Sequence, residues 1–132
     1  MFFLEKNIRF SPTSYVKLQD AYAVEKNAVG SWALIGYKAP QTTGTANETT
    51  NFAYTENYTG GTSEVWTATS KVKLNDCAIG ETWTVTSAMA DAAVSADVNH
   101  TAAIGDPTNC EGLTPSFTSL SVTAATQSGN KG

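Results

Sequence analysis

The chain reads as an α+β domain: an N-terminal helix packed on a four- or five-stranded antiparallel sheet, with one disulfide if its two cysteines pair. Three observations predict this. A 3.6-residue apolar rhythm is confined to the first thirty residues, period-2 alternation takes over afterwards, and Cys77 and Cys110 are the only cysteines. At 132 residues the chain makes one domain, large enough to bury a core without a metal.

The helix is placed over residues 13–30. Ser11 serves as N-cap, Pro12 takes the first helical position, where a missing N–H costs nothing, and Gly30 stops the run. Tyr15, Leu18, Tyr22 and Val29 form one apolar stripe. Val16 and Ala23 form a smaller strip nearly opposite, as expected of a helix that touches its own sheet and something outside it. Ahead of the helix, residues 1–12 hold Phe2, Phe3, Leu4, Ile8 and Phe10, too many large apolar groups for an idle tail. They either dock a partner or cover the edge of the chain's own core.

Residues 31–126 supply sheet and loops. Trp32, Leu34 and Gly36 alternate with Ala33, Ile35 and Tyr37, which reads as a strand apolar on both faces. After the polar run from Ala39 to Asn51 comes a short strand with Phe52 and Tyr54, ended by Asn57 and the Gly60-Gly61 turn. From Glu64 to Leu74, Trp66, Ala68, Val72 and Leu74 share one face. Ala78-Ile79-Gly80 turns a hairpin into a strand with Trp83 and Val85, which sets Trp66 and Trp83 up to pair. Ala88 to Val98 is a short helix or a surface excursion. Leu120, Val122 and Ala124 make a last edge strand.

Composition narrows the function. Charged residues are 15% of the chain, against about 25% on average, and Thr and Ser stand in their place, as on an extracellular surface. A net charge of −4 leaves no basic patch to track phosphate, so direct nucleic-acid binding is not expected. No enzyme is predicted. His100 is the lone histidine and sits in an expected surface loop, no nucleophile motif accompanies it, and nothing selects a catalytic pair among the carboxylates. Asp76, Glu81, Asp106 and Glu111 flank the cysteines and are read as solvated loop acids rather than a calcium site. No cofactor or metal is expected. The triplets at Asn47, Asn57 and Asn99 fit the N-glycosylation pattern, which a threonine-rich chain produces by chance. Cys77 and Cys110 read as a disulfide closing a loop of about 34 residues, worth roughly 3–4 kcal/mol and implying export, or as two buried thiols.

The run YVKLQDAYAVEKNAVGSWALIGYK, Tyr15 to Lys38, resembles the point where the helix of bacterial type IV pilins and pseudopilins enters its globular domain. The likeness covers about a fifth of the chain and implies a pilin-like domain over 1–132, in which a single disulfide in the C-terminal part is common. Glu5 stands where that family has a glutamate, but Lys6, Asn7 and Arg9 follow, and no run approaches the ~20 apolar residues of a membrane span. The chain then reads as a truncated pilin, a pilin with a mis-assigned start, or a filament subunit whose helical core comes from a separate short apolar protein; the last fits Met1 best and is the expectation. Phe2, Phe3, Leu4, Ile8, Phe10, Val16 and Ala23 would face that helix or further copies, on the cell surface or in a periplasmic pseudopilus. The alternative is a small secreted carbohydrate-binding module that stacks sugars on Trp32, Tyr54, Tyr58, Trp66 and Trp83.

Overall fold

The computed structural model describes residues 2–41, 46–90 and 97–121, with side chains described from residue 12 onward. Helix α1 (Phe2–Lys26) runs for 25 residues. It begins well before Ser11, so Pro12 lies inside it and removes one intrahelical hydrogen bond. Ser-Pro is a local start signal, but the upstream Leu4, Glu5, Lys6 and Arg9 lose little side-chain freedom in a helix, and the backbone stays helical through them. The helix also stops before Gly30. Asn27 adopts a left-handed φ of 54° and donates its N–H to the Ala23 carbonyl at 2.8 Å, ending the helix.

The stretch expected to be a strand after Gly30 is instead one helical turn, α2 (Trp32–Ile35). Capping chemistry overrides the alternation here. The Ser31 hydroxyl accepts from the Leu34 N–H at 3.4 Å, and Gly36 closes the turn with a left-handed φ of 78°. Trp32 and Ile35 are buried while Leu34 is exposed.

Four antiparallel strands follow in meander order: β1 (Phe52–Thr59), β2 (Ser63–Ser70), β3 (Thr82–Met89) and β4 (Val98–Ile104). β1 runs through Asn57 to the Gly60-Gly61 turn. β2 is shorter than its alternation implied and leaves Val72 exposed in the connection to β3. Ala88 and Met89 belong to β3 and Val98 opens β4, so neither end of that segment is helical; residues 91–96 lie outside those described. Leu120 falls in a 3₁₀ turn (Phe117–Leu120), and Val122 and Ala124 lie outside the described residues. The Ser121 hydroxyl clips the β4 edge, accepting from the Ala102 N–H at 2.8 Å and donating to its carbonyl at 3.2 Å.

Register sorts the core face into rows. Tyr54, Ala68, Trp83 and Ile104 stand side by side across the four strands, and the next row is Glu56, Trp66, Val85 and Ala102. Trp66 faces Val85 rather than Trp83, so the two indoles are diagonal neighbours. Trp83 packs edge-on to Phe52 at 5.3 Å, and Trp66 lies 6.3 Å from Phe117. Each indole N–H has a partner, Tyr37 Oη at 2.9 Å for Trp66 and Thr114 Oγ1 at 2.8 Å for Trp83. The Cys77–Cys110 disulfide ties the β2–β3 connection to a short helix, α3 (Pro107–Cys110), beneath this end of the sheet. Tyr15, Val16, Leu18 and Tyr22 of α1 pack on the same core. The opposite face is carpeted with threonine, Thr55, Thr67 and Thr84 forming one row across three strands.

Candidate functional site

Beyond the two apolar rows comes a polar one: Tyr58, Glu64, Ser87 and His100, again in register across all four strands. Its three inner members are completely or almost completely buried. Past it, Val98 and Met89 form a second small core with Ala23 and Val29. The polar row thus divides the interior into two apolar clusters.

Helix α1 closes over this row with Tyr15, Gln19 and Asp20, at i, i+4 and i+5. His100 Nε2 lies 2.8 Å from Asp20 Oδ1 and Nδ1 lies 2.8 Å from Ser87 Oγ. A carboxylate only accepts, so Nε2 carries the proton and, in the neutral ring, Nδ1 accepts from the Ser87 hydroxyl. The Tyr15 hydroxyl donates to the Glu64 carbonyl at 3.3 Å and accepts from the Gln19 amide at 3.3 Å. Burial pushes this phenol well above its ordinary range. Gln19 completes the chain: its amide donates to the Gly30 carbonyl at 2.6 Å and its carbonyl accepts from the Gly30 N–H at 2.9 Å. Gly30 is required by packing rather than by φ. A Cβ there would stand 2.9 Å from Ile35 Cγ2 and 3.0 Å from Tyr22 Cε2.

Ser87, His100 and Asp20 have the composition of an acyl-transfer triad but not its wiring. There the serine bonds Nε2 and the aspartate bonds Nδ1, the reverse of this arrangement, and Ser87 is wholly buried. What the network can do is fix the helix on the sheet, through Tyr15 to the Glu64 carbonyl on β2 and Asp20 to His100 on β4. His100 is therefore not the surface histidine the sequence suggested; it lies within β4 at 1% exposure.

Glu64 is the member that is not satisfied. It is fully buried, and neither carboxyl oxygen receives a hydrogen bond from an N–H or O–H of the protein. Glu56, one residue pair along on β1, is exposed and accepts the Trp32 N–H at 2.9 Å. Burial pushes the Glu64 carboxyl up to about 9, and the neighbouring Glu56, by hydrogen bond and by charge, pushes it the same way. A carboxyl raised that far is held in its neutral form near neutral pH.

The sequence-predicted contact residues are dispersed. Ala23 is fully buried in the second core and Val16 is half-buried against the first, so the supposed outward strip faces inward. The rotation follows from the polar row, since pulling Tyr15, Gln19 and Asp20 toward the sheet turns Ala23 in with them. The side chains of Phe2, Phe3, Leu4, Ile8 and Phe10 lie outside the described residues. Of the five aromatics proposed to stack sugars, Trp32, Tyr54, Trp66 and Trp83 are buried and Tyr58 alone is exposed, so they offer no stacking platform. Among the described residues no group of three or more acidic, histidine or cysteine side chains could hold a metal ion. Asp106 instead caps α3, accepting from the Asn109 N–H at 3.3 Å. No described helix is long and apolar enough to cross a membrane.

Sequence reasoning missed Gln19, Glu64, Ser87 and His100. One signal was present: Glu64 has the parity of Trp66 and Ala68, a carboxylate on the apolar face of a strand. Comparison of the chain with protein-family models, curated proteins and solved structures returns no match.

Proposed function

We propose that this chain is the globular subunit of a type IV pilin-like filament or pseudopilus, docked through the first turns of α1 onto a separate apolar helix. The observation that carries the reading is α1 itself. Its backbone is helical from Phe2, so residues 2–11 extend the helix by about three turns ahead of Pro12. The positions of Leu4 and Ile8, and of Phe3 and Phe10, then recur at helical spacing, which suits helix-on-helix packing better than an extended arm. The helix-then-meander order and the Cys77–Cys110 disulfide support the reading, whereas the strand expected within residues 15–38 is a helical turn. The seven-membered network under α1 supports it further, because a subunit held by its helix must transmit load from helix to sheet.

The test is to shear surface filaments from the native host and determine by intact mass and N-terminal sequencing which chains they contain and in what ratio. Equal amounts of this chain and a short apolar helical protein are expected. Filaments without this chain would end the reading. In the same assay Phe3→Ser with Phe10→Ser should abolish incorporation while the purified domain keeps its melting temperature.

A further inference from the structure

The two ends of the sheet carry different exposed groups. At the end where β2 leaves the sheet, backbone bonds join Ser70 to Gly80 and Glu81 and join Leu74 to Cys77, so the limbs of the connection run side by side. Val72 and Ile79 sit at matching positions on these limbs, 38% and 65% exposed. Lys73 beside them is exposed and forms no ion pair among the described residues, whereas Lys71 is held by Glu48 at 2.9 Å.

At the opposite end, Leu34 is 53% and Tyr58 37% exposed. They flank the segment from Ala28 to Gly30: Leu34 Cβ would lie 3.1 Å from a Cβ on Gly30, and Tyr58 Oη and Ala28 Cβ lie 4.0 and 3.5 Å from one on Gly61. Glu56, two residues from Tyr58 on β1, is exposed and forms no ion pair among the described residues.

We propose that copies of this chain pack head to tail, with Val72 and Ile79 of one copy on Leu34 and Tyr58 of the next and Lys73 against Glu56. The contact deepens the filament reading and rests on it. Charge complementarity selects a second copy as the occupant: among the described residues, one end has an ammonium without an ion pair next to an apolar pair, and the other has an exposed carboxylate without one next to another apolar pair. Because the two patches lie at opposite ends of one molecule, the contact is heterologous and propagates as an open chain instead of closing into a dimer. Each patch is small, so the contact acts with the helix docking, at the high effective concentration a filament provides.

Charge exchange tests this. Lys73→Glu and Glu56→Lys should each lower filament yield at least tenfold, and the double variant should restore it to within about twofold of wild type. Ile79→Asp, at a position largely free of contacts in the monomer, should match the single variants and replaces Glu56→Lys if that chain does not fold. Single variants that assemble at the wild-type level, or a double variant that does not recover, would overturn the contact while leaving the filament reading in place. Wild-type filaments that lack the chain would overturn both.

Discussion

The two ends of the core face are built from the same four strands and covered by the same helix, yet they are held by different forces. Around Trp66 and Trp83 the interior is close-packed aromatic and aliphatic surface, with both indole N–H groups satisfied and a disulfide below. Around Ser87 and His100 it is a hydrogen-bonded chain whose members contribute little apolar area. The first arrangement supplies stability in bulk, because burial is non-directional and proportional to area. The second supplies position, because a bond to Asp20 or Gln19 exists at one rotation and one height of the helix. A helix held by Tyr15, Val16, Leu18 and Tyr22 alone could slide by a residue at modest cost; the bonds to His100 and Gly30 make such a shift expensive.

That contrast can be broken from either side. Trp83→Ala should cost the most, about 3–5 kcal/mol by chemical denaturation, since it opens a cavity and strands the Thr114 hydroxyl. Loss of less than about 1 kcal/mol would mean the aromatic end is not the main store of stability. Replacing Cys77 and Cys110 together with Ser should cost roughly 3–4 kcal/mol, mostly by freeing the unfolded chain. His100→Ala should cost about 1–3 kcal/mol, leaving Ser87 without its partner. Its distinctive outcome is faster amide exchange in α1 from Tyr15 to Ala23 with the Trp66 and Trp83 strands still protected. Uniform loss of protection would merge the two ends into one cooperative unit.

Glu64 gives an effect of the opposite sign, and one that depends on pH. Its pKa is raised on folding, from about 4.3 in an open chain to about 9. The folded state therefore binds the extra proton between those values. This group's contribution is intact below about pH 4.5, falls as pH rises, and levels off above about 9. Glu64→Gln keeps the shape and removes the titrating group. It should raise stability by roughly 1–3 kcal/mol at pH 8 and by almost nothing at pH 4.5, measured by thermal or urea unfolding. A variant that gains nothing at pH 8 would show that folding does not raise the Glu64 pKa.

The aromatic end was legible in the sequence and the polar end was not, for a physical reason. Alternation around Trp66 and Ala68, and around Trp83 and Val85, reports which residues share a face, and burial of large apolar groups needs no further information. The network at His100 depends on which strands are neighbours and in what register. The segment from Val98 to Ile104 has weak alternation, so β4 was overlooked, and with it the row that joins Glu64 to Ser87 and His100. At Ser31 to Gly36 local capping won over pattern. At Ser11-Pro12 the reverse held, with helix propensity on both sides carrying the backbone through a start signal.

The threonine carpet on the outer face has a consequence for the surroundings in which such a domain can work. Thr67, Thr69, Thr82, Thr84 and Thr86 are β-branched, so they favour the extended backbone without adding a large greasy surface opposite the helix. Their hydroxyls keep water by hydrogen bonding rather than by charge. Ionic strength screens charge and leaves hydroxyl hydration largely untouched, so this wall of the molecule should stay equally wetted in fresh water and in brine.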